Sequence, residues 1–142
     1  TGKYYEREMD EFMRGRDARG IWRGAFIERM DLAYAAADVV VARSGAGTVS
    51  ELCLVGKTVV FVPSPNVAED HQTKNAMALA DRGAALVVPD REAVARVFSE
   101  VGRLLADDAV RSEMEKNIRA LAVADSADRV ADEILKVVKR SE

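Results

Sequence analysis

Cysteine is almost absent from this sequence. Cys53 stands alone, which excludes an internal disulfide and a cysteine-built zinc site and fits a reducing compartment. Histidine is equally scarce, with only His71, so a histidine-rich metal cluster is impossible. A basic surplus is missing too. Lys and Arg total 21 against 24 Asp and Glu, a net charge of −3, whereas a nucleic-acid binder normally carries a positive excess. Long apolar runs are lacking: a stretch such as Val39-Val40-Val41-Ala42 falls far short of the roughly 20 residues that span a bilayer. No signal-peptide pattern opens the chain. What is present has globular proportions, 49% hydrophobic and 32% charged over 142 residues, enough for one domain of ordinary size. The expectation is a soluble, cytosolic domain. Thr1-Gly2-Lys3 reads like a loop rather than a start, so the chain is expected to be cut from something longer.

Short β-branched runs alternate with helical patterns, the arrangement of a parallel sheet covered by helices. Strands are predicted at Asp38–Ala42, Thr58–Val62 and Ala84–Val88, with a weaker one at Ile21–Ile27. The first three lack alternation of apolar with polar residues, so both sheet faces should be buried. Helices are predicted over Tyr4–Arg14, Glu28–Ala37, Thr48–Val55 and Asp70–Arg82, the last two followed by Gly56 and Gly83 at the position where left-handed backbone favours glycine. The last third is helical throughout. Val94, Val97, Phe98, Val101, Leu104 and Leu105 form one apolar stripe, and Val130, Ile134, Val137 and Val138 another, each at helical spacing. Asp107-Asp108 and Asp125-Ser126 read as capping signals between helices.

The stretch from Val39 to Glu51 is the most informative. It passes from a buried strand through Arg43-Ser44-Gly45-Ala46-Gly47 into the pattern Thr48-Val49-Ser50-Glu51. Small residues let backbone N–H groups approach an anion, and a helix N-terminus adds about +0.5 of an elementary charge. Phosphate or pyrophosphate is the natural ligand, although Walker lysine spacing is absent. Glu51, one turn on, could accept hydrogen bonds from ribose hydroxyls. The competing reading makes Thr48-x-x-Glu51 a capping box. A second constellation, Pro63 to Asn75, follows the next strand and so belongs to the same carboxyl-end rim. His71, Gln72 and Asn75 suit sugar hydroxyls, or else are solvated first-turn residues behind a capping Asp70. His71 has no Ser or Cys nucleophile near it in sequence. Cys53 reads as a packed apolar residue, and Tyr4, Tyr5 and Trp22 as core or partner surface.

Four motifs in order, Phe26-Ile27-Glu28-Arg29-Met30, Ala33-Tyr34-Ala35-Ala36-Ala37-Asp38, Arg43 to Glu51, and Asp70-His71-Gln72-Thr73-Lys74-Asn75-Ala76, resemble the donor domain of the MurG family. Those bacterial transferases move GlcNAc from UDP-GlcNAc onto lipid I to give lipid II, a peptidoglycan precursor. The resemblance covers nearly the whole chain, and Thr1-Gly2-Lys3 looks like the family's loop after the second strand of that domain. It implies an α/β fold, a partial Rossmann-like parallel sheet with flanking helices, forming the C-terminal part of an inverting GT-B glycosyltransferase. It implies no cofactor and no essential metal in the donor site. By resemblance Ile27 meets the uracil, and Ala46, Gly47 and Thr48 hold the pyrophosphate within the Ser44–Glu51 segment that also carries Gly45, Val49 and Ser50. Glu51 binds the ribose, Gln72 the GlcNAc hydroxyls, and Asn75 lies beside them. At His71 members of the family differ.

The acceptor domain, with the family's proposed general base and its membrane-facing surface, has no counterpart here, nor do the donor domain's first two strands. Catalytic residues are therefore expected outside this sequence, as are lipid I binding and peripheral attachment to the inner face of the cell membrane. Two other functions fit: a nucleotide-sugar-binding subunit of a two-part lipid-linked GlcNAc transferase, and a non-catalytic UDP-sugar-binding module. A Rossmann sheet has strand order 3-2-1-4-5-6, and only strands 3 to 6 are legible here. Three firmly paired parallel strands are expected, with Ile21–Ile27 detached or re-paired, the first helix poorly anchored, and Asp38–Ala42 an apolar edge that invites self-association or leaves the chain marginally stable.

Overall fold

The computed structural model describes residues 5–65 and 70–139. The loop reading at Thr1-Gly2-Lys3, Tyr4 at the start of the first predicted helix, and Asn66 to Glu69 of the second constellation lie outside the described residues. The chain divides into two compact units, residues 1–36 and 37–142.

The N-terminal unit holds two helices, α1 (Glu6–Met13) and α2 (Met30–Ala36). No residue of α1 is buried, as the expectation of weak anchoring required; an ion pair at 2.6 Å from Arg23 to Asp10 ties it to the following segment. That segment corrects the sequence reading. Ile21–Ile27 is irregular rather than a strand, and Ile21, Trp22 and Phe26 are 58%, 71% and 76% exposed. Apolar residues favour a strand only where a neighbour completes its hydrogen bonds, and among the described residues none pairs with it.

The C-terminal unit is built on a parallel sheet of order β1-β2-β3, with β1 at Val39–Ala42, β2 at Thr58–Phe61 and β3 at Leu86–Val87. Register runs Val39 to Thr58 and Val60 to Leu86. All four β2 residues are buried, as expected of a strand covered on both faces. Helices α3 (Ala46–Val55) and α4 (His71–Ala80) follow β1 and β2. A short 3-10 turn, Asp90–Glu92, leads from β3 into α5 (Ala93–Leu105), followed by α6 (Asp108–Arg119) and α7 (Ser126–Lys139). Val60, Val88, Leu104 and Met114 form a buried cluster joining sheet, α5 and α6.

The chemistry at the helix ends is partly as read. Gly56 closes α3 at φ 66°, and its N–H donates to the Leu52 carbonyl at 2.9 Å. Asp107 caps α6 by accepting from the Val110 N–H at 3.0 Å. Asp70, at φ 55°, makes no side-chain cap bond to α4, because its left-handed backbone turns the carboxylate away from the first-turn N–H groups. The α5 stripe splits. Val97, Val101 and Leu104 pack on the core, whereas Val94 and Phe98 are 97% and 86% exposed beside the β1 edge, where Val41 is 46% exposed. The α7 stripe exists, but Val130, Ile134, Val137 and Val138 are all exposed.

Candidate functional site

In a parallel sheet the connections leaving β1, β2 and β3 emerge at the same carboxyl-end rim. Two of them carry the constellations read from sequence, and side chains join them. Ser44, fully buried, donates its hydroxyl to the Gln72 carbonyl at 2.7 Å. Asn75 donates from Nδ2 to the Ser44 carbonyl at 3.1 Å. The Gln72 Oε1 accepts from the Ser64 N–H at 2.9 Å. The turn before α3 is thus fixed to α4 by bonds that span 28 and 31 residues of sequence.

What this fixing presents is a helix end. The helix begins two residues before the predicted start. Gly45 is the N-cap at φ −62° and ψ 149°, with no side-chain cap bond, and the first helical bond runs from the Val49 N–H to the Gly45 carbonyl at 3.0 Å. Thr48 lies inside α3, which overturns the capping-box reading of Thr48-x-x-Glu51: the motif needs its first residue outside the helix. The N–H groups of Ala46, Gly47 and Thr48 precede Val49 and have no carbonyl within the helix to meet.

Neither backbone nor packing demands the glycines. Gly45 has a φ open to any residue, and a Cβ at Gly45 or at Gly47 would meet nothing within 4 Å. The space before the helix end is open. Gly47, Ser50 and Glu51 are exposed on one face of α3 because residues three and four apart align. Glu51 stands about 6 Å farther along the axis than Gly47, at 1.5 Å per residue. Chemically this is a helix end whose first N–H groups suit an anion, with a carboxylate one turn away. Thr48 and Val49 are half-buried, directed more toward the protein than the open face.

Of the remaining residues singled out, His71 is the first residue of α4 and is exposed, while Gln72 and Asn75 are half-buried. Ile27 is half-buried in the N-terminal unit. Cys53 lies buried in α3, and burial pushes its thiol pKa up, the opposite of nucleophilic activation. Beside the turn a groove of about 650 Å³ is lined by Pro63, Pro65, Thr73, Met77, Pro89 and Asp90 among others. Arg43 and Asp90, ion-paired at 2.5 Å, escaped the sequence reading. The available signal was the arginine between a buried strand and a glycine turn. Among the described residues no group of three or more His, Cys, Asp or Glu is placed to hold a metal ion, and no helix is long and apolar enough to cross a membrane.

Residues 1–130 match the glycosyltransferase family 28 C-terminal domain. The chain belongs to that family. Among relatives of this family 28 domain, a Parabacteroides distasonis protein is 45% identical over 140 residues, covering 99% of this chain and 38% of its own length. A Bacteroides thetaiotaomicron protein is 47% identical over 140 residues, covering 98% and 38%. Both are named UDP-N-acetylglucosamine--N-acetylmuramyl-(pentapeptide) pyrophosphoryl-undecaprenol N-acetylglucosamine transferase. The crystal structure of Acinetobacter baumannii MurG superposes with a TM-score of 0.80 at 33% identity, covering 95% of this chain and 39% of that one. The family 28 domain described here therefore spans less than two fifths of the length of these relatives.

Proposed function

We propose that this chain is the donor-binding part of an inverting glycosyltransferase that transfers GlcNAc from UDP-GlcNAc to lipid I, forming lipid II in peptidoglycan synthesis. The observation that carries the reading is the open end of α3, where Gly45 and Gly47 leave space that neither fold nor packing requires. The N–H groups of Ala46, Gly47 and Thr48 hold the pyrophosphate there. Glu51 accepts from the ribose hydroxyls, and Gln72, with Asn75 and His71 on the same helix, faces the sugar. Ile27 contacts the uracil by the family resemblance alone.

The chemistry asked of these groups is electrostatic. As the anomeric carbon–oxygen bond breaks, negative charge grows on the departing UDP. Fixed N–H groups aimed at that charge stabilise it without reorganising. Inversion places the incoming hydroxyl on the face opposite UDP, and that hydroxyl must lose its proton to a general base. The base, the lipid I site and peripheral contact with the inner face of the cell membrane belong to the part of the longer relatives that this chain does not span. The β1 edge, paired only to β2 among the described residues, is the surface through which isolated copies self-associate.

Gly45→Asp tests the site by separating stability from binding. Asp is among the best N-caps and complements the helix dipole, so the melting temperature should stay level or rise. A carboxylate seated where phosphate belongs should weaken UDP-GlcNAc binding more than tenfold in a calorimetric titration. An unaltered chain that binds no UDP-GlcNAc, or a folded variant that binds it equally well, would refute the assignment.

A further inference from the structure

Arg43 is the residue between the last position of β1 and Ser44. Its Nη1 faces three acceptors: the Val62 carbonyl at 3.0 Å, the Pro63 carbonyl at 3.2 Å and the Asp90 carboxylate at 2.5 Å. These come from the end of β2 and the turn after β3. The sheet ladder reaches this point and stops. Val62 donates to the Ala42 carbonyl and Val88 to the Phe61 carbonyl, both at 2.9 Å, but Pro63 has no N–H to carry pairing further. Val62 and Pro63 are buried, and buried carbonyls need a donor. Arg43 supplies it for both. An ion pair this exposed, 54% and 36%, adds little stability by itself, so its consequence is geometric.

We infer that Arg43 and Asp90 are positioning residues, a strap across the ends of all three strands that holds the Ser44–Thr48 turn in its ligand-ready form. Resting on the donor-site reading above, it adds what fixes that site. The turn is pinned on both sides, at Ser44 by α4 and at Arg43 by β2 and Asp90. Cutting the Asp90 side leaves Arg43 held only by the Val62 and Pro63 carbonyls, and the loosened turn lets its N–H groups diverge. If the competent turn falls to about a tenth of the population, apparent affinity falls about tenfold.

The test compares the chain with Asp90→Ala, Arg43→Ala and Arg43→Lys by UDP titration and by amide hydrogen exchange, with melting temperature as the control for folding. Asp90→Ala and Arg43→Ala should each raise the UDP Kd about tenfold and speed exchange in the turn while β2 keeps its protection. Arg43→Lys should recover most of the affinity, because one ammonium carries three donors and the strap uses one nitrogen. Asp90→Ala binding UDP as tightly as the parent, or more tightly, overturns the strap, since an arginine acting directly on phosphate gains when its carboxylate partner is removed. Unchanged exchange in the turn overturns it as well. Faster exchange in Asp90→Ala, with no UDP binding by the unaltered chain, upholds the strap and refutes the donor-site reading alone.

Discussion

Replacing Glu51 by alanine separates the two roles that a carboxylate in this position can have. As the last member of a capping box it would hold the helix start, and its loss would cost about 0.5–2 kcal/mol of stability. The structure removes that role. With α3 beginning at Ala46, Glu51 is beyond the first turn and exposed, and the dipole effect fades within that turn. The stability change should therefore stay within about 0.5 kcal/mol, the ordinary range for an exposed site. The binding change should be larger. Hydrogen bonds to a charged group contribute about 1.5–3 kcal/mol, which at about 1.4 kcal/mol per decade is a loss of roughly 10- to 100-fold in Kd. Urea denaturation gives the first quantity and calorimetric titration with UDP the second, on the same preparation. A variant that binds UDP like the parent but loses more than about 1 kcal/mol of stability would refute the reasoning.

Leu104→Ala should cost about 2–5 kcal/mol in urea denaturation, since Leu104 is fully buried against Val60, Val88 and Met114; a loss below about 1 kcal/mol would contradict that packing. Gly56→Ala forces a left-handed backbone at φ 66° and drives a Cβ into the Arg119 side chain, so about 1–2 kcal/mol should be lost for the backbone alone. An unchanged melting temperature would mean that the α3 cap is not as described. Burial raises the Cys53 thiol pKa, so the folded state holds this proton longer than the unfolded one. Its contribution is fully present below the ordinary thiol range and is lost as pH rises through the raised value. Iodoacetamide should accordingly modify Cys53 more slowly than a free thiol at pH 8 and at the free rate in urea, and fast labelling of the folded chain would show that the thiol is not enclosed.

Much of this protein is legible from local pattern. Uninterrupted β-branched runs around Val40, Val60 and Val87 state that both sheet faces are covered; β2 is buried throughout, whereas β3 is half-buried and Val41 in β1 is 46% exposed. Gly56 marks the end of α3 because glycine accepts left-handed backbone without strain, and the strand–turn–helix around Ser44 is legible from residue size alone. The rest depended on partners far away in the chain. Ile21–Ile27 has a strand's composition, yet composition cannot supply a neighbour for its hydrogen bonds. Thr48 has the form of a cap, but α3 starts at Ala46, where Ser44 is held by Gln72 and Asn75. The α5 stripe reads as one face, although only Val97, Val101 and Leu104 meet a core. Arg43 stands in a motif, but its acceptors lie 19, 20 and 47 residues away. Local propensity sets which conformation each segment favours. Which buried donors find acceptors, and which apolar faces find cover, is settled only when distant segments pack, because a hydrogen bond or a contact needs both partners in place.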